Sequence, residues 1–303
     1  MPVFGSVYTN RNSELLYPLS TMPIPLFWTS EYSQIHDNEH QILKIQEVFV
    51  PLSNPMNGVL RSPGRATFGG FWSLKKLDQI HIRKALDKLY DLRPTTREFH
   101  LVLPPTYFQK EIFDPQRVFF HGVSFSRIID INFHIDLHSN YITSKGNRKK
   151  MRQFREQGGV VVQSDSSDWE SCYQLLVNNR ARRGVKLSMS WDIFKKSLEQ
   201  LPLQIKLWKA VVKNMIVGCA VTVRISQDSL YVLFWGDNEY GRSLSAVASI
   251  CDSLLVLAKS ENVRYLDLGI SSVEGILDPG LARFKSNLGA IQGQKITYKI
   301  SFM

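Results

Sequence analysis

VRYLDLGISSVEGILDPGLARFKSNLGA, residues 263–290, is the segment around which the rest of the chain can be arranged. Its segment YLDL is short, apolar and followed by glycine, which predicts a strand that ends at Gly269. Alternation along this strand puts the two leucines on one face and Tyr265 and Asp267 on the other. If the strand is central in a sheet, Asp267 is a buried carboxylate that needs a partner.

A helix is predicted after the loop that follows this strand. Asp278 suits the N-cap, Pro279 suits the first helical position, and Gly289 predicts the end of the helix. One apolar face is formed by Leu281, Phe284 and Leu288. Lys285 falls within or beside that apolar stripe. Two interpretations of this lysine stay open: a side chain that snorkels to solvent, or a cation directed into a cleft.

The ordered set of these residues resembles the C-terminal signature of the Fem-type aminoacyltransferases, in the FemAB-like branch of the GNAT acyltransferase superfamily. That signature is a strand with Asp-x-Gly, a loop, and then Gly-Leu-x-x-Phe-Lys-x-x-x-Gly. The matching residues are Asp267, Gly269, Gly280, Leu281, Phe284, Lys285 and Gly289. The resemblance is clearest over residues 140–303. It implies an α/β (α+β) fold of two tandem GNAT-like domains, with mixed sheets flanked by helices.

The predicted order of elements agrees with this resemblance. Each half of the chain has a meander that ends in Phe-Trp, at Phe71-Trp72 and Phe234-Trp235, followed by a long helix, a strand, a short helix and terminal strands. We therefore expect an N-terminal domain over residues 1–135 and a C-terminal domain over residues 136–303, with the active site in the second. A single large α/β domain is the alternative.

Composition limits the class of protein. The chain has 303 residues, of which 44% are hydrophobic, as expected for a globular protein with real cores. No apolar run approaches the roughly 18 residues of a membrane span, and no secretory signal pattern is visible. The three cysteines are odd in number and widely spaced, which favours reduced thiols and a cytoplasmic location over disulfides or a zinc site.

Basic residues outnumber acidic ones by 37 to 27, a net charge of +10 that favours anionic partners. They concentrate on the predicted helix over residues 141–157. The candidate polyanion-binding residues are Lys145, Arg148, Lys149, Arg152 and Arg155. Either this helix has an ordinary solvated flank, or it cradles phosphates such as an RNA backbone, so that nucleic acid is an open partner. A second basic cluster contains Arg180, Arg182, Arg183 and Lys186.

The stretch GDNEYGRSLSA, residues 236–246, lies between a predicted strand and a predicted helix, where backbone amides can hold an anion. The resemblance implies, for an acyl-CoA enzyme, a basic residue, two spacers, Gly, one spacer and then Gly or Ala. The stretch departs from that pattern. We expect no bound cofactor and no metal, and an acyl donor as co-substrate: aminoacyl-tRNA, the Fem-type donor, or acyl-CoA, which the departure makes the weaker expectation.

Two functions are carried forward. The first is an enzyme that moves an acyl or aminoacyl group to an amine on a cell-envelope precursor or amino sugar. Lys285 would stabilise the tetrahedral intermediate or anchor a phosphate, and Asp267 would orient Lys285 or help deprotonate the amine. The predicted substrate-binding residues are Phe284, Arg283, Trp235, Gly236, Tyr240, Arg242 and Gly269. The alternative is a non-catalytic GNAT-like module that binds an anionic ligand.

Overall fold

The structure, a computed structural model, describes residues 24–36, 39–75, 77–91, 96–109 and 123–302. The described residues form two units. The N-terminal unit contains those up to Ile131, together with Ser272–Ile276 and the residues from Gly293 onward. The C-terminal unit contains Asn132–Ser271 and Leu277–Gln292. The division falls at Ile131, against the expected residue 135, and the last strand is part of the first unit.

The N-terminal unit combines short strands with two helices. Its elements are a 3-10 turn (Leu26–Trp28), α1 (Ser30–Ile35), β1 (Gln41–Ile45), β2 (Val48–Leu52), β3 (Val59–Ser62), β4 (Trp72–Ser73), α2 (Gln79–Tyr90), β5 (Glu98–Val102) and the start of β6 (Val123–Asp136). Strands β1, β2 and β4 form an antiparallel sheet, while β3 pairs in parallel with β5. These mixed sheets pack against α2.

Alternation and helical spacing place the core of this unit. Helix α2 begins where the Asp78 carboxylate accepts from the backbone N–H of His81, a standard N-cap. Its buried face is formed by Ile82, Ala85, Leu86 and Leu89. That face belongs to the same hydrophobic cluster as the strand residues Val50 and Phe99. Burial of such side chains stabilises the unit by about 1.5–3 kcal/mol each for the larger ones.

The C-terminal unit carries most of the regular structure. Its elements are the end of β6, α3 (Lys145–Glu156), β7 (Val160–Gln163), a 3-10 turn (Ser166–Asp168), α4 (Trp169–Ala181), α5 (Trp191–Gln200), β8 (Ile205–Val212), β9 (Met215–Ser226), β10 (Ser229–Asp237), α6 (Glu239–Ser243), α7 (Ala246–Ser260), β11 (Tyr265–Ile270) and α8 (Pro279–Asn287). Between β11 and α8 lies a small hairpin of β12 (Ser272–Val273) and β13 (Ile276–Leu277), and β14 (Ile291–Phe302) follows α8.

The sheet of the C-terminal unit has the order β6-β11-β10-β9-β8-β7. Every neighbouring pair is antiparallel except β10 and β11, which are parallel. The predicted meander over β8, β9 and β10 is confirmed. Helix α7, whose buried face includes Ile250 and Leu254, packs on this sheet. The α/β fold class with mixed sheets and flanking helices is therefore confirmed.

The described helices include none that is both long and apolar enough to span a bilayer. All three cysteines are unpaired and buried: Cys172, Cys219 and Cys251. Their burial agrees with the expectation of reduced structural thiols.

Candidate active site

Strands β10 and β11 separate part of the way along their length. They pair from Ser229 opposite Tyr265 to Tyr231 opposite Asp267. Beyond that point, among the described strands, Val232–Asp237 pairs only with β9, and the end of β11 pairs only with β6. The facing edges of the two strands therefore leave backbone groups outside the sheet ladder. Such groups can bind an extended ligand as a neighbouring strand would.

Gly269 forms a bulge in β11 at this separation. Its φ is +76°, and the register against β6 shifts between Asp267 and Gly269. A Cβ at this position would also lie 3.0 Å from the Tyr231 hydroxyl oxygen. Both observations favour glycine. The prediction that the strand ends at Gly269 is wrong, because β11 continues through the bulge to Ile270.

Lys285 of α8 reaches this bulge from the adjacent helix. Its side chain is only 2% exposed, which removes the interpretation of a lysine that snorkels to solvent. The Nζ atom donates to the carbonyl oxygens of Gly269, at 2.9 Å, and Ile270, at 2.6 Å. It also lies 5.9 Å from the centre of the Phe133 ring. An ammonium has three donors, and the described residues accept two of them, so that one is left for a ligand.

Burial sets the protonation of this lysine. Removal from water lowers the pKa of Lys285 from its ordinary 10.5 to about 7. Asp267 opposes this effect, Arg180 adds to it, and Asp278 opposes it again. A lysine with a pKa near neutrality can both take up and release a proton at neutral pH.

Asp267 is buried beside the same bulge. Its Oδ1 atom accepts from the Asn132 side-chain amide at 3.0 Å and from the Gly269 backbone N–H at 2.7 Å. The carboxylate thus has the hydrogen-bond partners that its burial requires. Asp267 and Lys285 meet at Gly269, where one binds the N–H and the other binds the carbonyl.

An aromatic pair joins β10 to α8. The rings of Trp235, on the separated part of β10, and Phe284, on α8, are 5.7 Å apart in an edge-to-face arrangement. Both are half-buried, whereas Arg283 is exposed. Of the residues predicted for the site, Asp267 and Lys285 are joined through Gly269 by hydrogen bonds, and Phe284 and Trp235 contact each other.

The two glycines of the stretch after β10 have packing roles. A Cβ on Gly236 would lie 2.9 Å from the Asn179 side chain, and one on Gly241 would lie 1.9 Å from the carbonyl oxygen of Val217. The Gly241 amide already donates to the Asn238 side chain at 2.8 Å. These glycines thus have reasons to be glycine other than anion binding.

The remaining predicted residues lie at the far end of β10. Tyr240 is 37% exposed, and Arg242 Nε is 3.5 Å from Asp237 Oδ1. Burial raises the pKa of Asp237, and Arg242 and Arg182 oppose that rise. No described contact joins Tyr240 or Arg242 to Lys285.

Arg180, which the sequence pattern places only in a basic cluster, acts electrostatically on Lys285 and lowers its pKa. Its guanidinium is half-buried and, among the described residues, has no hydrogen bond or ion pair. Burial lowers the pKa of Arg180, the neighbouring Arg183 lowers it further, and Tyr231 raises it. The sequence signal that points to a partly buried Arg180 is its spacing, because Cys172, Leu176 and Arg180 follow one another at four-residue intervals on one face of α4.

The basic helix α3 is joined to the end of the site helix. The backbone N–H of Ser144 and the side-chain amide of Asn147 both donate to the carbonyl of Asn287, the last residue of α8. Of the candidate polyanion-binding residues, Arg152 pairs with Glu156 and Arg155 with Asp252. The others, Lys145, Arg148 and Lys149, are exposed and have no ion pair within the described residues.

Comparison with known proteins agrees with this architecture. Residues 143–286 match the family model of the acetyltransferase (GNAT) domain. No curated protein sequence gives a significant match.

Solved structures share the fold across nearly the whole chain. The crystal structure of FemX has a TM-score of 0.66 at 10% identity, covering 92% of each chain. The C-terminal domain of a putative lysylphosphatidylglycerol synthetase from Agrobacterium fabrum has a TM-score of 0.62 at 8% identity, covering 92% of this chain and 90% of that one. A tandem GNAT protein from the clavulanic acid biosynthesis pathway has a TM-score of 0.51 at 10% identity, with coverages of 87% and 82%.

These likenesses confirm the predicted fold of two tandem GNAT-like units. The chain thus shares its fold with FemX, and its residues 143–286 match the acetyltransferase (GNAT) domain.

Proposed function

We propose that the protein transfers an acyl or aminoacyl group from an activated donor to an amine on a cell-envelope or amino-sugar precursor. Acyl or aminoacyl transfer in general has the support of the GNAT match and the Fem-type fold. The cell-envelope acceptor has the support of one structural neighbour, whose name joins a lysyl group to a phospholipid. The observation that carries the proposal is the Lys285 nitrogen, buried between two carbonyls where β10 and β11 separate.

The position of this nitrogen suits proton transfer during acyl exchange. The acceptor amine attacks the acyl carbon, so that a C–N bond forms and a tetrahedral intermediate carries a protonated nitrogen. The neutral Lys285 amine takes that proton, with both of its own hydrogens held by the carbonyls of Gly269 and Ile270. The C–O or C–S bond to the donor then breaks. The leaving group departs with the electron pair and receives the proton from Lys285.

Arg180 is the proposed contact for an anionic group of the substrate. A half-buried guanidinium without a described partner is costly unless a ligand supplies the anion. It is close enough to lower the pKa of Lys285, which puts it within the electrostatic range of the reacting atoms. A phosphate or carboxylate bound there would also be near Tyr231.

Aminoacyl-tRNA is the proposed donor. Helix α3, joined to the end of α8, presents cations that have no ion pair in the described part of the chain and could bind a nucleic-acid backbone. The stretch after β10 meanwhile has packing roles for its glycines and an internal acceptor for the Gly241 amide. Acyl-CoA, the other expected donor, has less support from this loop.

The test is a donor comparison with two substitutions at Lys285. Purified protein is incubated with radiolabelled aminoacyl-tRNA or with acetyl-CoA, and with amino-sugar or aminophospholipid acceptors. We expect transfer from aminoacyl-tRNA, with kcat/KM rising as the pH passes through about 7, where Lys285 loses its proton. Lys285→Met removes the proton acceptor and should lower kcat by about 100-fold or more.

Lys285→Arg separates proton transfer from charge. Arginine keeps a cation and its donors but does not deprotonate. We expect it to be as inactive as the methionine variant, provided that both melt within a few degrees of the wild type. An active arginine variant would assign Lys285 to charge stabilisation instead. Binding of both substrates by the wild type without turnover would leave a ligand-binding module.

A further inference from the structure

The two hydrogen bonds of Lys285 require an irregular strand. Consecutive carbonyls of a regular β-strand point in opposite directions, so that one nitrogen cannot donate hydrogen bonds to both. Here the carbonyls of Gly269 and Ile270 both lie within 2.9 Å of Lys285 Nζ. The positive φ of Gly269 provides the break in the alternation. The position of the lysine nitrogen therefore depends on the shape of this bulge.

The Asp267 carboxylate stabilises the bulge through the backbone N–H of Gly269. Its 2.7 Å hydrogen bond to the Gly269 N–H links two residues of one strand across the register shift. Such a local contact between a carboxylate and the N–H two residues on favours a turn over an extended strand. A single carboxylate oxygen thereby fixes the backbone N–H of Gly269, the residue whose own carbonyl accepts from Lys285.

Asn132 of β6 fixes the carboxylate in turn. Its amide donates to the same Oδ1 atom at 3.0 Å, and Asn132 pairs with Ile270 across the strands. Both side chains are buried, with exposures of 0% for Asp267 and 1% for Asn132. Both groups are shielded from bulk solvent, as expected of a rigid support.

We propose that Asp267 is a positioning residue, which holds the Gly269 bulge so that the carbonyls of Gly269 and Ile270 orient the Lys285 nitrogen, with Asn132 as its support. This inference rests on the proposed function for its kinetic consequence only. The chain of contacts from Asn132 to Lys285 can be tested without any turnover. It differs from a role for Asp267 as the base that deprotonates the acceptor amine.

The structural test follows the Lys285 side chain by NMR. Protein labelled at lysine Cε is titrated, and the Lys285 signal is identified by its absence from Lys285→Met. The charged groups that act on this lysine are Asp267, Arg180 and Asp278. Asp267→Asn removes a charge but keeps an oxygen that can accept from the Gly269 N–H. We expect its Lys285 signal to stay dispersed, as in the wild type, with a lowered pKa.

Asp267→Ala and Gly269→Ala should instead release the lysine. Its signal should move to the shift and pKa of an exposed lysine, about 10.4. Gly275→Ala is the matched control, because Gly275 has a similar φ of +80° but lies in the exposed hairpin after β12. It should leave the signal unchanged. If Asp267→Ala gives the same dispersed signal as Asp267→Asn, Asp267 acts by charge alone and the inference fails.

Kinetics give the second readout. Asp267→Asn should lower kcat much less than Asp267→Ala does. Asp267→Ala should lower kcat by about 100-fold with little change in KM, because a small displacement of a reacting group costs that much. Equal losses in both variants would make Asp267 the base and overturn the inference. A released lysine in Asp267→Ala, in a protein whose wild type shows no turnover, would reject the proposed function and keep the positioning role.

Discussion

Lys285 combines two properties that are costly to keep together, a nearly complete removal from water and an ionisable nitrogen. The two carbonyl acceptors and the nearby Asp267 offset the loss of hydration only in part, which is why the pKa falls to about 7. A residue held against such a penalty is a candidate for function rather than for stability. The same penalty has a measurable effect on folding.

We predict that Lys285 makes the stability of the protein rise with pH above neutrality. The folded protein loses the Lys285 proton at about pH 7, whereas the unfolded chain keeps it up to 10.5. Between these values the unfolded state binds more protons, so that the free energy of unfolding increases with pH. Relative to Lys285→Met, the wild type should gain about 2 kcal/mol between pH 7 and 9.

Urea unfolding of both proteins at the two pH values measures this gain. Subtracting the variant removes the contribution of every other titrating group. The methionine variant also leaves two carbonyls without their donor, but that loss is independent of pH. A difference in stability that stays flat across this range would show that the folded lysine titrates normally.

The sequence predicts part of this site and misses the rest for physical reasons. The position of Lys285 in the apolar stripe of α8 follows from helical spacing. The buried carboxylate of Asp267 follows from the alternation of side chains along a central strand. The bulge at Gly269 does not follow, because a glycine after a short strand is equally typical of a strand end. Arg180 was missed because local spacing does not reveal whether a partly buried cation has a partner.

Among the elements, helix α3 carries surface cations with a carboxylate partner and others without one in the described residues. Exposed ion pairs such as Arg155 with Asp252 contribute little to stability but do reduce the charge available to a ligand. In the first two turns of the helix, Lys145, Arg148 and Lys149 have no ion pair with any residue that the structure describes. This asymmetry predicts where a polyanion binds along the helix.

We expect the cations of the first two turns to dominate binding to RNA. The triple variant Lys145→Ala, Arg148→Ala, Lys149→Ala should weaken the affinity for a fluorescent RNA hairpin. It should also reduce the slope of log affinity against log salt by about 2–3, since each lost phosphate contact removes about 0.9. Fluorescence anisotropy at a series of salt concentrations provides the slope.

The double variant Arg152→Ala, Arg155→Ala is the matched control, because it removes charges that already have carboxylate partners on the protein. Its slope should change by less than half as much. Equal slopes for the wild type and the triple variant would leave α3 with an ordinary solvated flank.

Element boundaries show where tertiary contacts override local patterns. The predicted helix after β10 is confirmed as α7, which begins at Ala246; the short α6 before it ends at Ser243, because Ser245 adopts a left-handed conformation. The predicted loop after Gly269 contains a hairpin with positive φ at Glu274 and Gly275. In its turn, the backbone N–H of Gly275 donates to the buried Asp130 carboxylate. Asp130 is 145 residues away in the sequence, and no local signal specifies this contact.

At the scale of the whole molecule, the chain returns to its first unit at the end. Strand β14 pairs with β5 from Thr297 opposite Val102 to Ser301 opposite Glu98. It adds Ile296, Tyr298 and Ile300 to the hydrophobic core of the N-terminal unit. A linear division of the sequence into two halves cannot anticipate this return, since strand pairing between distant segments has no local sequence signal.

We predict that removing residues 293–303 weakens the N-terminal unit selectively. The deletion takes away three buried side chains and the antiparallel partner of β5. The backbone groups of β5 then lose their hydrogen bonds on that side, and the face of α2 that packs in the same cluster loses contacts. Hydrogen–deuterium exchange should therefore speed up in β5 and α2. It should stay unchanged in β8 and β9, which are paired within the C-terminal unit.

The double variant Ile296→Ala, Ile300→Ala retains the strand and tests the side chains alone, so that it should accelerate exchange in α2 more than in β5. Equal acceleration across both units would show that they unfold together, and that the folding unit is the whole chain.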